Sequence, residues 1–205
     1  SMIQPHYDEH GNVDGYLVRL PADPAYPDAS PAKEVFVHSK YINGATQGGR
    51  VGAYSILEAA WGQSHPGGSN RFDNNPPGID YGYSTQAFSV FTEKSTVELP
   101  IDQAAGGYTD AERAKILLAS QQHQPIVAGT KEAASVYATV DGKDTEITLV
   151  GNHSYTVVSA DANGVTLCNP HGSNPTPGGG KAPATFTLSW EDYEAHYGST
   201  VIGSL

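Results

Sequence analysis

The segment Asn152 to Gly172, NHSYTVVSADANGVTLCNPHG, holds the residues best suited to chemistry. His153 stands at the start of one predicted strand and Asn169 at the end of the next, with Asn163-Gly164 between them as a hairpin signal. A hairpin of that length returns its two ends alongside each other, so an imidazole and an amide can meet on one face. An amide oxygen that accepts one ring N–H fixes the tautomer and plane of the imidazole and leaves the other nitrogen to take or give a proton. That is the base and orienter of a Cys-His-Asn arrangement. The same two residues also read, more plainly, as polar side chains at the ends of a hairpin.

The third member of such an arrangement is a thiol, and the chain has a single cysteine, Cys168. One cysteine excludes an intrachain disulfide and any multi-thiolate zinc or iron–sulfur site. Cys168 immediately precedes Asn169 in one predicted strand, and neighbours in a strand point to opposite faces. It is therefore expected to face away from the His153–Asn169 pair as a small buried apolar residue.

These residues need a sheet to hold them, and the second half of the chain predicts one. Strands are expected at Ile126 to Gly129, Ala134 to Val140, Thr145 to Val150, Ser154 to Ser159 and Val165 to Cys168, with Asp141-Gly142 as a further hairpin turn. Before them, Thr109 followed three residues later by Glu112 forms a capping-box signature for a helix running to about Gln122, stopped by Pro125. In the first half, Tyr16 to Leu20 and Glu34 to His38 read as strands, and Ala53 to Trp61 as a buried helix after the Gly-rich turn Gly44 to Gly52. Ser64 to Tyr83 reads as a long loop. A short helix from Trp190 to Tyr197 and a closing strand at Val201 to Ile202 complete the order. Helices early and antiparallel strands late predict an α+β fold.

The 205 residues carry 11 Lys and Arg against 22 Asp and Glu, a formal charge of -11, which argues against a phosphate-tracking nucleic-acid binder and against docking on anionic membranes. No run approaches a membrane span and the N-terminus lacks a signal-peptide layout, so the chain reads as soluble, its compartment open between cytoplasmic and secreted. Ser1-Met2 reads as the remnant of a removed affinity tag. His6, His10, His38, His65 and His123 show no zinc-ligand spacing, and Trp61, Phe88 and Phe91 read as core.

NHSYTVV followed by GVTL-CNPHG resembles the GHAYSV…RNPWG signature of calpains, papain-fold cysteine endopeptidases. Val18 to Pro21 (VRLP) and Val35 to Ser39 (VFVHS) are similar to that family's DDRLP and LFVHS strands. Tyr54 to Trp61 (YSILEAAW) resembles its W-S-x-L-L-E-K-A-Y helix, and Gly82 to Thr92 (GYSTQAFSVFT) its T-T-E-G-F-E-D-F-T segment. Phe186 to Leu205 resembles its closing DFxxHY stretch and final strand. The order is kept from about residue 12 to residue 205. The resemblance implies a single calpain-like catalytic subdomain over 1–205, with an antiparallel sheet or half-barrel, His153 as general base, Asn169 as its orienting partner, and a protein or peptide as substrate.

In the family the nucleophile lies in a Q-G-x-x-G-D-C-W segment of a preceding subdomain. The resemblance thus implies that the chain begins after it, that a Cys-bearing upstream subdomain is a partner, and that residues 1–205 by themselves are catalytically silent. In a rival register, Gln47 and Gly48 stand six and five residues before Ala53, which would then occupy the nucleophile's place at a helix N-terminus, where the dipole favours a thiolate. A non-catalytic pseudo-protease or protein-binding module on the same fold is the alternative function. His171 replaces the family's Trp beside the His–Asn bond, which should leave that bond wetter and weaker. Ser173 to Lys181 (SNPTPGGGK) lacks the carboxylates of the loop that helps the family bind calcium, so calcium is not expected at that loop and no cofactor is evident. Asp73 and Asp80 read as turn residues rather than calcium ligands.

Overall fold

A computed structural model of the chain describes residues 2–22, 24, 28, 31–42, 52–64 and 84–204, without the side chains of Tyr41, Tyr54 and Gln86. These residues form helices and antiparallel sheets, in two units spanning Ser1–Glu93 and Lys94–Leu205.

In the first unit, β1 (Ile3–Tyr7), β2 (Val13–Leu20) and β3 (Lys33–His38) form an antiparallel sheet in that order, accompanied by α1 (Ser39–Ile42), α2 (Ala53–Ser64) and α3 (Ser84–Thr92). Alternation on β2 buries Val18 and Leu20, and β3 adds Val37 from the same face. These meet Ile56 and Ala60, one helical turn apart on α2, and Val90 of α3. Trp61 and Phe91 pack against this core with ring centroids 5.5 Å apart, and Phe88 is half-buried. Gly15 is required where β2 meets β3, because a Cβ there would lie 2.6 Å from both the Phe36 ring and the Val37 carbonyl. Strand β1 and helix α3 carry no expected element. The long loop read at Ser64 to Tyr83 lies almost wholly outside the described residues, as do Gly44 to Val51, His65, Asp73 and Asp80.

The second unit contains β4 (Val97–Pro100), α4 (Asp110–Gln121), β5 (Ile126–Thr130), β6 (Ala134–Val140), β7 (Lys143–Leu149), β8 (Ser154–Ala160), β9 (Gly164–Pro175), β10 (Lys181–Ser189), α5 (Trp190–His196) and β11 (Tyr197–Ile202). The strands form one eight-stranded antiparallel sheet in the order β4-β11-β5-β8-β9-β10-β6-β7. Its core gathers Ile126, Ala128, Val136, Ala138, Ile147, Leu149, Tyr155, Leu167 and Phe186, alternating inward along five strands and the edge strand β7, with Ile116 of α4.

The capping box forms as the sequence predicts. Thr109 Oγ1 accepts the Glu112 N–H and the Glu112 carboxylate accepts the Thr109 N–H. One turn further along α4, Arg113 grips the buried Glu194 of α5 through two hydrogen bonds of 2.7 and 2.8 Å.

The two predicted hairpin turns differ in kind. Asp141 and Gly142 both adopt positive φ, 48° and 75°, as a tight β6–β7 turn demands. Asn163-Gly164 does not: neither residue has positive φ. The β8–β9 turn is tied instead by the Asp161 carboxylate, which accepts the Asn163 and Gly164 N–H groups at 2.7 and 3.2 Å. Gly164 is needed for a different reason, since a Cβ would meet the Leu188 carbonyl oxygen of β10 at 2.0 Å.

Candidate functional site

His153 sits one residue before β8, at the end of a tight connection from β7. Asn152 takes the left-handed conformation, φ 50°, which asparagine tolerates, and donates its N–H to the Lys131 carbonyl at 2.7 Å. Thr130, the last residue of β5, holds the next position by two contacts and the turn before it by a third. Its N–H donates to the His153 carbonyl (2.9 Å), its Oγ1 accepts the His153 N–H (3.0 Å), and that hydroxyl lies 2.7 Å from the Val150 carbonyl. Tyr155 Oη accepts the Val150 N–H at 3.0 Å. The backbone that carries the imidazole is therefore held by β5 and β8 together.

Asn169 does not end its strand as expected; β9 continues to Pro175. The strand departs from regular pairing there. Between the Cys168–Thr185 and Ser173–Pro183 pairs, β9 advances five residues while β10 advances two. The surplus forms an outward excursion over Asn169, Pro170, His171 and Gly172, with Gly172 at φ 78°. Proline, which cannot donate to a ladder, and glycine, which tolerates positive φ, suit this excursion.

His153 Nε2 lies 3.1 Å from Asn169 Oδ1. The direction of that bond follows from the backbone. Asn169 Oδ1 also accepts the His171 N–H at 3.0 Å, and Asn169 Nδ2 donates to the Ser173 carbonyl at 3.0 Å. A backbone N–H can only donate and a carbonyl can only accept, so the amide cannot be flipped. His153 Nε2 is then the donor, and the neutral ring carries its lone pair on Nδ1. Among the described residues Nδ1 makes no hydrogen bond.

The fourth contact of Asn169 comes from Asn174, a residue with no role expected from the sequence. Asn169 Nδ2 donates to Asn174 Oδ1 at 3.2 Å, and Asn174 Nδ2 donates to the carbonyls of Pro183 and Ala184 on β10. Asn169 and Asn174 are 1% and 0% exposed, so both amides depend on protein partners alone. An asparagine inside a strand that otherwise favours β-branched residues is the signal that could have marked Asn174.

His171 rises from the excursion and stacks on His153, ring centroids 4.3 Å apart and planes 27° from parallel. Tyr155 meets the same imidazole edge-on at 5.0 Å, and beneath it Tyr197 and Tyr193 extend an aromatic column. The imidazole at position 171 thus covers His153 rather than leaving it open, although His171 itself remains exposed. Burial pushes the His153 pKa below its ordinary value; the bond to Asn169 acts the other way, and a charge on His171 would depress it further.

Cys168 pairs in register with Thr156 on one side and Thr185 on the other, between the buried Leu167 and Asn169. It lies on the opposite face of β9 from Asn169, as strand alternation predicts, but it is half-buried rather than buried. Ala53, the nucleophile position of the rival register, opens α2 and is exposed, while residues 47–51 of that register lie outside the described residues. Among the described residues no group of three or more His, Cys, Asp or Glu side chains is placed to hold a metal ion, and no helix is long and apolar enough to cross a membrane. No protein-family model matches the chain, and no curated protein matches it.

Proposed function

We propose that residues 94–205 form the His- and Asn-bearing half of a papain-like cysteine endopeptidase site of calpain type, with the thiol supplied from outside residues 1–205. One observation carries this reading: His153 Nε2 is committed to Asn169 Oδ1, and Nδ1 is left without a partner among the described residues. A base built this way acts through Nδ1. It takes the thiol proton, so that an ion pair of thiolate and imidazolium forms. The thiolate attacks the peptide carbonyl carbon, and the imidazolium returns its proton from Nδ1 to the leaving amine as the C–N bond breaks. Nδ1 then takes a proton from the water that hydrolyses the thioester. Throughout, Asn169 holds the ring plane and the Nε2 proton in place. A depressed His153 pKa keeps the ring in the neutral form that can accept the first proton near pH 7.

A second reading has its own support. The chain's one cysteine lies on the far face of β9 from the pair, and an imidazole covers His153, so a non-catalytic relative that uses the same surface to bind a protein is the alternative. The two separate in one experiment. The native polypeptide, including whatever precedes Met2, is assayed on an unstructured protein substrate beside residues 1–205 alone. The protease reading expects cleavage only by the longer form, and a loss of about a thousandfold in kcat/KM for His153→Ala. Cleavage by residues 1–205 that His153→Ala abolishes would overturn the external thiol. An inert longer form would leave the binding module standing.

A further inference from the structure

We propose that Asn174 is a positioning residue that locks the Asn169 amide in the orientation His153 requires. This deepens the reading of His153 and Asn169 as a catalytic pair and rests on it. The connection is continuous: the Pro183 and Ala184 carbonyls of β10 fix Asn174 Nδ2, so Asn174 Oδ1 must face Asn169 Nδ2, and Asn169 Oδ1 must face His153 Nε2 and the His171 N–H. The His171 N–H and the Ser173 carbonyl hold one contact at each end of the Asn169 amide, and Asn174 Oδ1 takes the second Nδ2 proton, so turning either amide would bury unmet groups.

The geometry also shows what the second asparagine adds. The excursion of β9 removes Asn169 from the regular ladder with β10, where backbone pairing would have held it. Asn174 re-attaches it across the neck of that excursion. It pairs the side chain of one end, Asn169, to the β10 backbone reached from the other end. Both residues are shielded from water, so no solvent molecule can replace either bond cheaply.

The test compares Asn174→Leu, which has no acceptor, with Asn174→Asp. A buried Asp facing two carbonyls stays protonated, donating to one of them and offering its other oxygen to Asn169. Two quantities are read by NMR in residues 1–205: exchange of the Asn169 side-chain amide protons with water, and the titration midpoint of His153. Among the described residues His171, stacked on that ring, and Tyr155, edge-on to it, are the titratable aromatic neighbours, and neither variant alters them. Asn174→Leu should speed the exchange about tenfold, the factor one hydrogen bond of ordinary strength represents, and move the His153 midpoint down as its bond to Asn169 loosens. Asn174→Asp should keep both near the wild-type values. Equal changes in the two variants would overturn the proposal, because they would mean that Asn174 merely ties β10 down. So would an unaffected Asn169 in a folded Asn174→Leu protein. Should that variant fail to fold, unprotected Asn169 amide protons in the wild type overturn the proposal just as well. None of these readouts needs proteolysis, so they fail or succeed separately from the proposed activity.

Discussion

His153 and His171 lie face to face, 4.3 Å between ring centroids, and the two rings cannot both be charged without repelling each other at contact distance. His171 therefore acts on His153 in two ways: it removes water from one ring face and places a titratable neighbour against it.

Replacing His171 separates these effects. His171→Ala restores water and deletes the neighbour, so the His153 titration midpoint should rise toward the ordinary value of 6.5. His171→Trp keeps the cover and removes only the charge, and its midpoint should fall between those of the wild type and the alanine variant. An NMR titration of the His153 ring protons checks both, and an unmoved midpoint in the alanine variant would refute the coupling.

The depressed His153 pKa has a signed consequence for stability. The unfolded chain, with its histidine near 6.5, takes up the proton first as pH falls, while the folded ring resists it. The contribution is complete above about pH 6.5 and is lost as pH drops through the folded pKa. Urea unfolding at pH 7.5 and 5.5 should therefore show a larger loss for the wild type than for His153→Gln. Equal losses would remove His153 from the pH response.

Arg113 and Glu194 form a pair of unequal exposure, 36% for the arginine side chain and 6% for the carboxylate. Arg113→Ala strands the buried carboxylate and should cost about 2–3 kcal/mol, less than a fully buried pair because water reaches the arginine. Denaturant midpoints measure this. Glu194→Gln, which leaves no buried charge, should cost less than Arg113→Ala, and the reverse order would contradict the pairing.

Thr109 accepts the Glu112 N–H at the start of α4. Thr109→Ala should therefore lower stability by about 1 kcal/mol, whereas Thr109→Ser should be close to neutral in the same denaturation experiment.

In the second unit, strands β5 to β9 and the capped helix are legible in the sequence because alternation, turn pairs and the Thr109–Glu112 box are local signals. It hid elements whose cause is tertiary. Strand β4 is four residues long and acquires its identity by pairing with β11, and β10 contains Pro183 inside its span. The site was legible in the same uneven way. A hairpin pairs His153 with Asn169 from sequence, but with Asn169 at a strand end and positive φ at Asn163-Gly164. The structure brings the pair together through the β9 excursion and an Asp161-tied turn instead. Asn174 carries only a weak signal, an amide in a strand, because two of its partners are backbone carbonyls of β10, and carbonyls leave no mark in a sequence.

The excursion in β9 also separates two kinds of change. Its neck is closed by Asn169 and Asn174, and regular pairing resumes on either side at Cys168 and Ser173. The residue at its tip, position 171, contributes no side chain to the sheet. Substitution there can retune how readily His153 binds a proton while every strand keeps its register, so the acidity of this site is free to drift at no cost to the architecture that holds it.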